Sequence, residues 1–254
     1  MLAEPARDTA EAVAAFDFDK TLTTKDSLLR FLVAIAGWPR LAFAVMRSAP
    51  EVMSALALGG TRRDRAREKI TRLLLSGRRA AEVDAVATAV GRAMAAQFLR
   101  ADVAERLAWH VRSGHRVVVV SASFARYVGV AVDDLGVERV IATEWEVDSQ
   151  GVLTGALVGG NVRGARKAEL LRSYLGTPRI AYAYGDSAGD AEMLAMSDTP
   201  TLVGRRRLAS LQRPFEPDCS EDLRSCGEVV MRLSHGSPRS HTRIQTSRRA
   251  QVLR

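Results

Sequence analysis

The chain has 254 residues, 47% of them hydrophobic and 26% charged, with a formal net charge of +8. This balance excludes a disordered or fibrous chain, and the length allows one substantial core or two modest ones. Two cysteines, Cys219 and Cys226, exclude a disulfide scaffold and leave a reducing, cytoplasmic setting as the expectation.

The charge is unevenly placed. Residues 205–254 hold 11 Arg, no Lys and 5 acidic residues, so the preceding residues carry a net charge of only +2. That distribution gives no reason to expect specific nucleic-acid binding. The segment Met1–Asp8 lacks the charged-then-apolar order of a signal peptide.

An apolar run from Ala12 leads into Phe16-Asp17-Phe18-Asp19-Lys20-Thr21-Leu22-Thr23, and a strand is expected over 12–18. Alternation along it sends Phe16 and Phe18 into a core and Asp17 and Asp19 together to the other face. Two like charges held so close require a cation. The pair suits attack on phosphorus: one carboxylate as nucleophile, its neighbour as proton donor, with Mg²⁺ beside the phosphate.

The most apolar window, Leu28 to Met46, is interrupted by Arg30, Gly37, Pro39 and Arg40. A membrane span needs about 20 nearly uncharged residues. The expected form is therefore two buried helices joined at Gly37-Trp38-Pro39, with no transmembrane segment. Asp26 is placed to cap the first of them. Helix-period apolar residues continue from Ser27 to about Gln97 without a strand, which reads as a helical cap beside a sheet. Within it, the basic run Thr61 to Lys69 reads as a solvated helix face, the alternative being a cap entrance that attracts anionic substrates.

Strand-like runs resume at 116–121, 139–143, 179–184 and 199–203, separated by helical patterns over 102–113, 124–135, 166–175 and 190–196. Apolar strands alternating with helices predict an α/β fold with a parallel sheet between helical layers. Asp148-Ser149-Gln150-Gly151, flanked by Trp145, Val147, Val152 and Leu153, predicts a hairpin within 144–158. Trp38, Trp109 and Trp145 are expected to pack in apolar surroundings, and His110 and His115 are assigned no chemistry. Beyond Gly204 the apolar periodicity fades. A short helix over 206–211 and disorder from about 235 are expected there.

Loops that follow parallel strands gather at one sheet edge, where ligands bind. That edge would collect Asp17, Asp19, Ser121, Asp186 and Asp190. Ser121 ends a strand, and its hydroxyl and the backbone N–H groups after it are expected at a helix N-terminus, an anion site. Lys167 opens the helix after the hairpin, beside Arg163 and Arg166, where it can hold a phosphate oxygen and offset the carboxylates. The loop Gly185-Asp186-Ser187-Ala188-Gly189-Asp190 follows a strand and opens a helix. Asp186 can there complete an Mg²⁺ shell with Asp17, while Asp190 alone would also suit a helix cap.

The ordered set Asp-x-Asp-x-Thr, strand-end Ser121, Lys167 and Gly-Asp-Ser-x-x-Asp resembles the haloacid dehalogenase superfamily, and the helical insertion after the first motif resembles its phosphoserine phosphatase-like branch. The resemblance covers roughly residues 12–204 and implies a Rossmann-like three-layer core, expected over 1–25 and 98–211, with a helical cap over 26–97; composition marks 212–254 as a basic, partly disordered tail. It implies that Asp17 is the nucleophile that becomes aspartyl-phosphate. Asp19 protonates the leaving oxygen and later activates water, with its backbone carbonyl on Mg²⁺. Ser121, Ala122 and Lys167 bind the phosphoryl group, Asp186 ligates Mg²⁺, Asp190 supports that ligand or the lysine, and Thr21 orients Asp17 or Asp19. Asp26 stands where the branch carries an acidic residue that reads the substrate amino group.

The implied activity is Mg²⁺-dependent hydrolysis of a small phosphorylated metabolite, phosphoserine among the candidates. The alternatives are transfer to another acceptor, and a receiver-like module that holds its phosphate without turnover. The chain has Ala122-Ser123 where the branch has Gly-Gly, and Gly189 where it has Asn. These differences surround the leaving group.

Overall fold

A computed structural model describes residues 12–58 and 61–204; the expected tail helix and tail disorder lie outside these residues. Strand β1 (Val13–Phe16) is followed by four helices: α1 (Ser27–Arg47), α2 (Ala49–Leu58), α3 (Thr61–Leu75) and α4 (Ala80–Phe98). Then come α5 (Ala101–Arg112), β2 (Arg116–Phe124), α6 (Ala125–Val132), β3 (Arg139–Thr143) and a hairpin of β4 (Trp145–Val147) and β5 (Leu153–Leu157). The described chain closes with α7 (Ala165–Leu175), β6 (Ile180–Gly185), α8 (Ala191–Ala195) and β7 (Ser197–Leu202).

Five strands form one parallel sheet in the order β3-β2-β1-β6-β7. Period-2 alternation sends side chains to two cores. Ala14, Phe16, Val117 and Val119 join Val103, Leu107 and Val128 from α5 and α6. Val13, Ala15, Val118 and Val120 join Ala168, Leu171 and Met193 from α7 and α8. The sheet is thus covered on both faces, the reason its strands are apolar throughout. β1 lies at the centre with β2 and β6 as neighbours, so the strand order reverses beside it, the place where such sheets bind ligands.

Four expectations are corrected. The first strand ends at Phe16, and residues 18–22 form a tight turn in which Lys20 has φ of 61°. Asp17 and Asp19 therefore reach the same cavity through a turn and not through strand pleating, although Phe16 and Phe18 are both fully buried. Strand β2 runs on to Phe124 with a register shift after Ser121, so the helix begins at Ala125 and Ser121 sits in an irregular strand end instead of a helix N-terminus. Trp38 is 64% exposed, whereas Trp145 stacks on Phe31 and Trp109 lies edge-on to His110.

The fourth concerns α1. Its two helical stretches join at Gly37 as expected, where φ of 74° and ψ of 161° leave the helical region just before Pro39, and what differs is their burial. Its Leu28, Phe31, Leu32 and Leu41 are buried, but Leu29, Phe43, Val45 and Met46 are exposed. Among the described residues it is the one helix long and apolar enough to cross a membrane by length and composition, with mean hydropathy 1.6 and a third of that window buried. Its buried face packs into the same core as Phe124 and Tyr127.

Two features connect packing to measurable stability. Gly91 lets α4 lie against α6: a Cβ there would stand 2.6 Å from the Tyr127 carbonyl oxygen and 2.7 Å from Val130 Cβ. Overpacking of this kind costs roughly 1–3 kcal/mol, so Gly91→Ala should lower the unfolding free energy by that amount, read as a lower urea midpoint at unchanged m-value. Behind β1, the fully buried His110 lies 2.8 Å from His115 Nδ1 and 2.9 Å from Tyr184 Oη. Burial, with His115 and Arg106 nearby, pushes its pKa down to about 3. A histidine whose folded pKa is depressed lends stability above the unfolded value near 6.5, and that stability is lost as the pH falls from 6.5 towards 3. The stability gap between wild type and His110→Leu should narrow by about 2 kcal/mol between pH 8 and pH 5 in urea titrations.

Candidate active site

At the carboxyl edge of the sheet a cavity of about 430 Å³ is lined by residues from both ends of the described chain. Asp17 follows β1, with its backbone N–H donating to the Tyr184 carbonyl at 2.8 Å, which fixes it against β6. Asp186 and Asp190 follow β6, Ser121 and Ala122 end β2, and Lys167 enters from the first turn of α7.

The centre of the site is a buried ammonium between two buried carboxylates. Lys167 Nζ donates to Asp17 Oδ1 at 2.5 Å and to Asp190 Oδ1 at 2.6 Å, with all three residues nearly inaccessible. Burial favours loss of the lysine proton, but Asp17 and Asp190 outweigh it and hold the ammonium above its ordinary range. Burial pushes the Asp17 carboxyl up to about 7 against the pull of Lys167, with Asp190 and Asp19 adding to the rise.

Asp190 has no oxygen to spare. Its Oδ2 accepts from the backbone N–H groups of Asp186 (3.2 Å) and Ser187 (3.1 Å) and from Ser187 Oγ (2.9 Å). Gly185 makes this approach possible, since a Cβ there would fall 2.5 Å from Asp190 Cβ. Asp190 therefore braces the Asp186 loop and the lysine together.

Carboxylate oxygens of Asp17, Asp186 and Asp190 lie within 4.8 Å of one another, a group of hard oxygen donors at the spacing a divalent cation needs. With Asp190 saturated, Asp17 and Asp186 are the two left to ligate. The half-buried Asp186 carboxyl is pushed up by burial and by Asp190, the condition a bound cation would relieve. The residues present fit Mg²⁺.

Asp19 is held separately. It accepts from the Ser27 backbone N–H at 2.6 Å and from the Ser123 hydroxyl. Burial, and then the nearby Asp26, push its carboxyl above the usual range. Ser121 Oγ accepts from the Ser123 N–H at 3.0 Å, which leaves its own proton free to donate into the cavity. Asp26 caps α1, its Oδ1 accepting from Leu28 N and Leu29 N, and it also lines the cavity. Thr21 is fully buried and its Oγ1 has no hydrogen-bond partner, so no bond joins it to Asp17 or Asp19.

Several residues of the site escaped sequence reasoning. Arg67 of α3 lines the cavity and donates to the Ala122 carbonyl at 3.3 Å. Asp64 accepts from Asn161 Nδ2 at 3.0 Å and lies 3.7 Å from Arg163. Ser27 and Ser123 meet at 3.1 Å beside Asp19. The basic run on α3 was the available signal: at Asp64 and Arg67 the solvated-face reading gives way to the alternative one, a wall of the cavity. A larger cleft of about 730 Å³ beside α4 and α6 brings no comparable set together, its Arg126 being paired with Asp84 at 3.0 Å.

The pattern of the family described as haloacid dehalogenase-like hydrolase matches residues 14–195. Protein CicA of Caulobacter vibrioides is 37% identical over 192 residues, spanning 73% of this chain and 83% of its own length. A probable phosphatase of Mycobacterium tuberculosis is 30% identical over 214 residues, spanning 80% of this chain and 74% of its own. A substrate-bound phosphoserine phosphatase complex has a similar fold, with a TM-score of 0.51 at 18% identity over 75% of this chain and 84% of that one.

Removing the buried ammonium tests the centre of this arrangement. Lys167→Met would leave two buried carboxylates facing each other, and breaking such a pair costs roughly 3–5 kcal/mol. The loss in urea titrations should be largest at neutral pH and shrink as the pH is lowered, because protonation then relieves the repulsion. A pH-independent loss would show that packing alone holds the site.

Proposed function

The chain belongs to the haloacid dehalogenase-like hydrolase family, has the fold of its phosphoserine phosphatase-like branch and is a phosphatase, and we propose that it is a Mg²⁺-dependent phosphomonoesterase working through an aspartyl-phosphate on Asp17. The observation that carries this reading is the Asp17–Lys167–Asp190 arrangement, with Asp19 held apart from it by its own donors.

Substrate phosphate lies between Lys167, the Ser121 hydroxyl and the Ala122 N–H. Asp17 attacks phosphorus in line: its carboxylate oxygen bonds to phosphorus as the bond to the leaving oxygen breaks. Asp19 gives that oxygen a proton. Its burial and the neighbouring Asp26 favour the protonated form at the start of the step. Asp19 then takes a proton from water, which attacks phosphorus and releases inorganic phosphate and free Asp17. Lys167 balances negative charge on the phosphoryl oxygens in both steps.

Asp17, Asp186 and the Asp19 backbone carbonyl would hold Mg²⁺, which when bound neutralises phosphoryl charge and keeps Asp17 ionised. Asp190 positions Lys167 and the Asp186 loop. Residues 26–97 act as a cap whose Arg67 and Asp64 close on the core through Ala122, Asn161 and Arg163. The substrate is a small phosphorylated molecule, and the setting is cytoplasmic.

Asp17→Asn should lower kcat on p-nitrophenyl phosphate by at least about a thousandfold. Asp19→Asn should accumulate phosphoenzyme, visible by intact-mass spectrometry after acid quench. Chelation should abolish turnover, and added Mg²⁺ should restore it. Near-normal turnover in Asp17→Asn would remove it as the nucleophile.

A further inference from the structure

The catalytic cavity has an apolar neighbour. An apolar groove of about 590 Å³ shares two of its lining residues, Asp26 and Arg67, with that cavity. The other eight residues lining the groove are all apolar. They come from both halves of the bent α1, including Leu29 and Leu32 before Gly37 and Leu41 and Val45 beyond it, and from Ile70 on α3. Trp38 stands at the bend.

Leu28, Leu32 and Leu41 are buried at the floor of the groove, but part of its lining stays open. Leu29 is 50% exposed and Trp38 64% among the described residues. Exposed apolar surface gathered in one place and rimmed by charge marks a binding surface. Here the rim is the reaction site itself. Arg67 reaches the Ala122 carbonyl at 3.3 Å on the catalytic side and lines the groove on the other. Side by side the two spaces are amphiphilic, with the charged groups of the cavity on one side of Asp26 and Arg67 and the apolar groove on the other.

Building on the phosphomonoesterase reading, we propose that the substrate is a single-chain amphiphilic phosphomonoester whose unbranched alkyl or acyl chain lies in this groove. Phosphate departs to Asp17 as above, and the chain-bearing alcohol leaves with the proton from Asp19. A ligand with no apolar part would leave the groove open, and a flat membrane surface would not need the groove to share Asp26 and Arg67 with the cavity.

The test uses the full chain with Mg²⁺ and a series of n-alkyl monophosphates from ethyl to decyl, each below its micelle concentration. Burial of one methylene corresponds to about a three- to fourfold gain. kcat/KM should rise by that factor per methylene, reaching roughly a thousandfold between ethyl and octyl. In Leu29→Gln and Val45→Gln, each referred to its own rate on ethyl phosphate, the slope should flatten by half or more while urea unfolding stays cooperative.

A flat series in the wild type, with every member hydrolysed, would overturn the proposal. So would a slope that neither variant changes. Absence of Mg²⁺-dependent release from every member, ethyl and p-nitrophenyl phosphate included, would overturn the phosphomonoesterase reading and this one with it. A flat series combined with flotation on phosphatidylglycerol vesicles, lost in Leu29→Gln, would make the groove a membrane contact and refute the substrate assignment.

Discussion

The contact on which the site depends is the buried ammonium of Lys167 between Asp17 and Asp190. Three charged groups out of water are tolerable only when each charge is paired and the remaining lone pairs are satisfied. The protein meets that condition with backbone. The Asp186 and Ser187 N–H groups and the Ser187 hydroxyl complete Asp190, and Gly185 lets the carboxylate come close. The loop after β6 is shaped by an electrostatic need that arises at β1 and α7. The same need gives Asp17 and Asp186 their readiness for a cation, since their excess negative charge is only partly met by one lysine.

Asp19 illustrates a division of labour between two carboxylates of similar sequence context. Asp17 faces the lysine; Asp19 faces the Ser27 N–H and the Ser123 hydroxyl. Its environment holds the proton by burial and by the like charge of Asp26. Ser27 begins α1 and Asp26 caps it, so the start of the helical insertion and the proton-donor candidate are one structural unit. The bend at Gly37 then folds the second half of α1 back towards α3, which creates the groove beside the cavity.

Much of the fold was legible in the chain because its signals are local. Val117–Val120 and Ile180–Tyr184 are apolar on both faces, and Gly136 and Gly176 end their helices in the left-handed conformation that glycine permits. The hairpin at 145–157 follows from Asp148 and Gly151, whose turn is closed by bonds from Gln150 and Val152 to Asp148 Oδ1. Thr21, Ser121 and Trp38 were read less well for a common reason. Each depends on backbone direction over a few irregular residues: the turn at Lys20, the register shift after Ser121 and the bend at Gly37. Periodicity carries no information there.

The sequence by itself determined the alternation of strands and helices, the helical insertion after the first strand, and the carboxylates, serine and lysine that the cavity gathers. These follow from residue type and spacing, which act over one turn or one strand. Only the tertiary structure decided which oxygens remain free, that Asp190 is saturated while Asp17 and Asp186 are not, and that Arg67 and Asp64 form part of the cavity wall. It also decided that half of α1 stays open beside the site. Those outcomes depend on contacts between residues far apart in the chain, as Lys167 with Asp17 and Arg67 with Ala122, whose distances no local pattern encodes.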